Sequence, residues 1–138
     1  MSNYFTRLEE LSTQLNASSD ALSESIKRLE AKLASLRLGI SVWLEEPIDT
    51  YLYQDDRIST FLGYTRVNGK WCLALRDDSN EIIGDPELEA PVQPLLQASR
   101  ENRIKALQLM PAMIVSLETA AEAELKTVQL AMALSNTL

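Results

Sequence analysis

Histidine is absent from this sequence of 138 residues, and cysteine occurs once, at position 72. Histidine is the commonest general base, the usual partner in a catalytic triad and the commonest zinc ligand, so its absence removes most acid–base and zinc chemistry. The single Cys72 excludes an intramolecular disulfide and a redox pair. Neither common glycine-rich phosphate loop, G-x-G-x-x-G or G-x-x-x-x-G-K, occurs. We therefore predict a protein that is not an enzyme and that has no catalytic residues, cofactor or metal.

Long apolar runs are also missing. None approaches the ~20 residues that a membrane-spanning helix needs. The first residues lack the charged-then-apolar layout of a signal peptide. We expect a cytoplasmic location and no membrane partner.

Only four glycines and five prolines interrupt the chain, a composition that suits long helices.

Basic residues are scarce in the middle of the chain. Residues 45–89 contain eleven Asp and Glu side chains against four Arg and Lys, whereas the two flanking segments are balanced. The whole net charge of −7 therefore lies on the central segment. A negative field repels phosphate backbones, so we do not expect nucleic acid as a partner.

The N-terminal quarter repeats leucine at seven-residue intervals. This spacing predicts a helix over 5–37 that packs along its length against another helix. Thr6 and Glu9 have the spacing of a capping box at its start, and Gly39 follows its end. The small polar residues at 16–20 allow a break or a continuous helix, and the unchanged leucine phase favours continuity. The predicted interaction seam consists here of Leu8, Leu15, Leu22, Leu29 and Leu36.

Residues 40–83 have the composition of antiparallel strands. Asn68-Gly69 is the strongest hairpin signal, because both residues tolerate the positive φ of a type I′ turn. It predicts a hairpin over 61–76 with Tyr64, Trp71 and Leu73 on the packed face. The segment Asp77-Asp78-Ser79-Asn80 predicts a second turn, followed by a further short strand.

Proline separates the strands from a second helical region. Residues 84–94 predict a connector with several prolines. A helix over 95–136 follows, and Pro111 predicts a kink or two consecutive helices near that position. The interaction seam continues here through Leu117, Val128 and Leu130.

Charge is absent from the last twelve residues, 127–138. A solvated terminal helix would carry charged side chains on its outer face. We therefore expect this end of the chain to be covered by another surface.

Carboxylate clusters are the remaining candidates for chemistry. Asp77, Asp78 and Glu81 offer oxygen ligands for Ca²⁺ or Mg²⁺, but they lack the spacing of an EF-hand loop. They are weak metal candidates, and a solvated acidic turn is the favoured interpretation. Cys72 has no identifiable base beside it and is interpreted as a small strand residue rather than a nucleophile.

These elements predict one domain over 1–138 of the α+β class. Long N-terminal and C-terminal helices are expected to pack as an antiparallel helical hairpin or bundle around or beside an antiparallel meander of 3–5 strands. Apolar helix surface left over from this packing predicts a homo-oligomer, for which a dimer is the commonest closed form.

The order helix, strands, helix resembles the layout of prefoldin subunits, and the small, acidic, dimeric character resembles bacterial secretion chaperones. These resemblances concern layout and bulk properties, and they imply a chaperone-like binder of unfolded or secreted polypeptides. The first hypothesis is a non-enzymatic oligomeric interaction or scaffold protein, and the chaperone-like binder is its alternative. A small-ligand or cation-binding protein that uses acidic side chains is the third.

Overall fold

The computed structural model describes residues 4–79 and 91–138. These residues form an α+β protein with three α-helices and a five-stranded antiparallel sheet, which confirms the predicted class. In chain order the elements are α1 (Thr6–Ser35), β1 (Val42–Trp43), β2 (Asp49–Tyr53), β3 (Asp56–Val67), β4 (Lys70–Ser79), β5 (Val92–Pro94), a 3₁₀ turn (Leu95–Gln97), α2 (Arg100–Gln108) and α3 (Met110–Asn136).

The first helix, α1, is continuous through 16–20. The predicted capping box is wrong, because Phe5 occupies the cap position and Thr6 is already helical. The helix ends at Ser35, and Arg37 adopts φ 52°, so the left-handed turn begins before Gly39.

The twelve-residue strand β3 organises the sheet. It pairs with β1 and β2 along one edge and with β4 along the other, and β5 pairs with the far edge of β4. The β3–β4 register joins Val67 to Lys70, and Asn68-Gly69 forms the turn with both φ angles positive. The predicted hairpin is therefore confirmed.

The predicted turn at 77–80 is wrong for its first three residues, and its fourth lies outside the described part of the chain. Asp77, Asp78 and Ser79 continue β4, because β3 begins as early as Asp56 and supplies partners for them. The Thr60 hydroxyl also donates a hydrogen bond to the Asp77 carboxylate at 2.7 Å. The short strand predicted after this turn and most of the predicted connector also lie outside the described residues, but Val92–Pro94 of that connector form β5.

The core lies between one face of the sheet and the helices. Leu62, Tyr64 and Leu73 of the sheet are buried against α1 and the α2–α3 region. The rings of Tyr64 and Trp71 stack with centroids 5.5 Å apart, so they share the predicted face. On the opposite face the Trp43 ring lies against Gly63.

The segment that contains α2 and α3 meets α1 at two points, which come in the same order along both segments. Arg103 of α2 donates hydrogen bonds to Ser19 and Ser23 near the middle of α1. Closer to the C-terminal ends of α1 and α3, Ala121 and Leu36 line the same small cavity. The predicted antiparallel hairpin is therefore not confirmed, and the apolar stripe of α1 packs into a core that the sheet shares with α2 and α3.

The two C-terminal helices meet at Leu109 with a bend of 57°. Pro111 lies in the first turn of α3, where its missing N–H breaks no helical hydrogen bond. The predicted break near 111 is confirmed. No single helix in the described ranges is long and apolar enough to cross a membrane, and only the bent α2–α3 pair reaches that limit together.

Candidate functional site: two helical arms

The predicted interaction seam is covered in its middle and exposed at its ends. Leu117 is buried, and Leu22 and Leu29 are half-buried against the body of the protein. Leu36 of the α1 part of the seam and Leu117 of the α3 part line the same small cavity, so the two parts approach each other at that point. The exposed seam residues are Leu8 (58% exposed), Leu15 (49%), Leu36 (52%), Val128 (50%) and Leu130 (72%).

Two helix ends extend beyond the body, and we name them arms. The α1 arm is residues 6–18 and the α3 arm is residues 122–136, and every residue in both is exposed. At a rise of about 1.5 Å per residue they are about 20 Å and about 22 Å long. The rest of the helices, residues 19–35 and 100–121, lie on the body.

The arms leave the body at different places. The α1 arm begins beside Arg103, where Ser19 accepts a hydrogen bond at 3.3 Å. The α3 arm begins beyond Ala121, which lies near Leu36 at the other end of α1. These two points are about 25 Å apart along α1. Since every residue of both arms is exposed, the arms of one chain do not cover each other.

Apolar side chains follow the α1 arm in one stripe. Leu8, Leu11 and Leu15 repeat at intervals of three and four residues and are all exposed. This spacing places them on one face of the helix. The charged residues of this arm are confined to its first turns, so the stripe continues into a segment without charge.

The α3 arm is apolar on two opposite faces. Leu125, Val128 and Met132 share one face, and Leu130 and Leu134 lie about half a turn away. All five side chains are at least half exposed. A surface helix usually has one apolar stripe, so this arm has one apolar face more than is typical of such a helix.

A groove of about 780 Å³ lies between α1 and the β3–β4 turn, and Glu30, Trp71 and Cys72 contribute to its lining. Burial raises the pKa of the Cys72 thiol, and the nearby Glu30 carboxylate raises it further. A thiol with a raised pKa stays protonated and is a poor nucleophile. This agrees with Cys72 as a small strand residue.

The acidic candidates do not converge on a common point. Asp77 accepts a hydrogen bond from Thr60, and Asp78 pairs with Arg76 at 3.1 Å. Glu81 lies outside the described residues. Within residues 4–79 and 91–138, no group of three acidic or cysteine side chains could hold a metal ion.

Sequence reasoning missed two polar side chains that tie the helices to the body. Glu30 accepts the Leu73 backbone N–H, and Arg103 donates to Ser19 and Ser23. The serines in the apolar seam were the available signal for a buried polar partner, whereas nothing distinguishes Glu30 from its acidic neighbours.

Comparison with protein-family models, curated proteins and solved structures finds no match to this chain.

Proposed function

We propose that this is a non-enzymatic, homo-oligomeric interaction protein that assembles through its two arms. The observation that carries the proposal is the exposure of leucine side chains along both arms, beside a body whose core is complete without them. Ile26, Met113 and Leu117 already close the helix–sheet core. Contiguous exposed apolar surface of this kind is typical of protein interfaces.

A second copy of the chain is the occupant that fits the arms best. The two arms differ by only two residues, which is about 3 Å in length. Leu8, Leu11 and Leu15 have the same three-then-four spacing as the stripe that begins at Leu125, so one arm can pack against the other in matched layers. The predicted helix bundle is then formed between copies rather than within one chain, and a dimer is the smallest such unit.

The same surface supports the chaperone-like alternative. Leucine and Met132 side chains on exposed helices suit binding to varied apolar segments, because flexible apolar side chains can repack around different partners. In that case the arms of an isolated chain stay uncovered until an unfolded polypeptide binds. The two functions therefore differ in the state of the purified protein.

Light scattering across a range of protein concentrations tests the proposal. We expect a mass above the 15.4 kDa of one chain. Leu15→Lys and Leu130→Lys should each shift the mass towards the monomer while leaving the far-UV circular dichroism of the body unchanged. Thr13→Lys, about half a turn from the leucine stripe of the α1 arm, is the matched control and should assemble like the unmodified protein.

A concentration-independent monomer would contradict the proposal. If that monomer also suppressed the aggregation of a chemically unfolded model protein, and Leu130→Lys removed the effect, the chaperone-like alternative would replace it. An oligomer insensitive to both lysine substitutions would show that the arms are not the interface.

A further inference from the structure

We propose a second self-association site, separate from the arms: the outer edge of β2 pairs antiparallel with β2 of another copy about a two-fold axis at Tyr51. The pairing joins two five-stranded sheets into one continuous sheet. It does not depend on the arms being an interface.

The outer edge of β2 is open. Among residues 4–79 and 91–138 the strand pairs only with β3, on its inner side, in a hairpin closed by Gln54 and Asp55, both with positive φ. Residues 50–53 of this strand are all exposed, with Tyr51 at 43% and Leu52 at 76%. An exposed apolar edge strand is a template for pairing with another strand.

The other edge of the sheet is protected. There β5 is only three residues long and ends at Pro94, and Pro91 precedes it. Where β5 stops, the Glu30 carboxylate accepts the Leu73 N–H that an added strand would need. Short strands, prolines and inward charges are the usual means of blocking an edge. Residues 49–53 contain no proline and no basic residue, so they lack this protection.

The backbone of β2 is complementary to itself. Tyr53 and Asp56 close the two-residue hairpin turn, so the backbone groups of Tyr51 point towards β3 and those of Thr50 and Leu52 point outwards. In an antiparallel pair centred on Tyr51, Thr50 of one copy lies opposite Leu52 of the other. The two copies can then exchange four backbone hydrogen bonds.

Side chains and charges fit the same register. Tyr51 lies opposite its own copy in the closer, non-hydrogen-bonded type of pair, where aromatic side chains stabilise a sheet. Asp49 lies opposite Tyr53 rather than another carboxylate. Within the chain Asp49 is also near Lys105, with 3.7 Å between the Oδ1 and Nζ atoms. Within residues 49–53, no like charges face each other across the two-fold axis.

A charge-pairing experiment at Tyr51 tests the register, because this residue alone is opposite itself. The background is the full chain with Leu15→Lys and Leu130→Lys, which removes arm contacts. Tyr51→Lys and Tyr51→Glu chains are prepared separately in it, and native mass spectrometry at hundreds of micromolar protein detects dimers. Thermal unfolding checks that each variant keeps the fold.

The background protein should form dimers, and each Tyr51 variant alone should lose at least tenfold in dimer population. Mixing the two variants should restore a dimer that contains one chain of each kind. A background that is monomeric, or a mixture that stays monomeric, would overturn the proposal, and neither outcome depends on the arms. Dimers of each variant alone would show that another surface is responsible, and capture only of an added extended peptide would reassign the edge to a different partner.

Discussion

The carboxylate of Glu30 accepts a hydrogen bond from the backbone N–H of Leu73, with 3.0 Å between Oε2 and N. The bond joins the C-terminal part of α1 to β4 just past the end of β5, so it satisfies a donor that none of the described strands reaches. Burial raises the pKa of Glu30 above its usual value, and the bond from Leu73 partly opposes that rise. The same carboxylate therefore holds α1 against β4, and burial makes its ionised form less favourable.

This cost predicts a pH dependence of stability. The pKa of Glu30 is higher in the folded than in the unfolded chain. Its contribution to the free energy of unfolding is therefore most favourable below the usual glutamate pKa, and it declines as the pH rises through the pKa of the folded state. We expect Glu30→Gln, which keeps an oxygen acceptor, to gain stability relative to the unmodified protein between about pH 4 and pH 7. Urea unfolding at several pH values measures this difference. Glu118→Gln, at an exposed position on α3, is the control, and a Glu30→Gln difference that shrinks with pH would contradict the prediction.

Gly63 has no room for a side chain, because a Cβ atom there would overlap the Trp43 ring. We expect Gly63→Ala to destabilise the protein by about 1–3 kcal/mol or more, as overpacking does. In a Trp43→Ala background the same change should cost less than about 1 kcal/mol, since the obstructing ring is gone. Urea unfolding of the four proteins gives the coupling, and additive losses would show that the ring is not the obstacle.

The acidic residues at the end of β4 should not respond to hard cations. Asp77 and Asp78 already have partners in Thr60 and Arg76, so a cation would have to displace both. We expect millimolar Ca²⁺ or Mg²⁺ to leave the thermal unfolding midpoint unchanged, because a ligand of the folded state would raise it. A rise of several degrees that disappears in the Asp77→Asn, Asp78→Asn double variant would establish a cation site there.

Local chemistry explains which parts of the fold could be predicted from the sequence. The Asn68-Gly69 turn fixes the β3–β4 register through its own backbone preferences, so the residues on both strands follow. Pro111 breaks the C-terminal helix because it lacks an N–H, whatever surrounds it. The continuous α1 also follows from periodicity within one segment.

Predictions that depended on distant partners were less successful. The leucine repeat identified an apolar stripe, but Ile26 and Leu33 of that helix are buried in the core cluster with the sheet, while Leu8 and Leu15 extend past the body. A seven-residue repeat indicates that one face of the helix is apolar, but it does not identify the surface that packs on that face. Asp77 favours turns by itself, but its pairing with Thr60 in β3 overrides that preference.

The arrangement around β3 has a consequence for how the chain folds. In the described part of the chain, every strand pair except β4–β5 is made with this one strand, and β2 and β4 reach it through two-residue turns. Contacts between residues close in sequence form early because little chain entropy is lost in closing them. By contrast, the contact of Ser19 with Arg103 spans 84 residues. We expect the β2–β3–β4 meander to form first as the folding nucleus, and α1 and α2 to dock on it in the later, slower step.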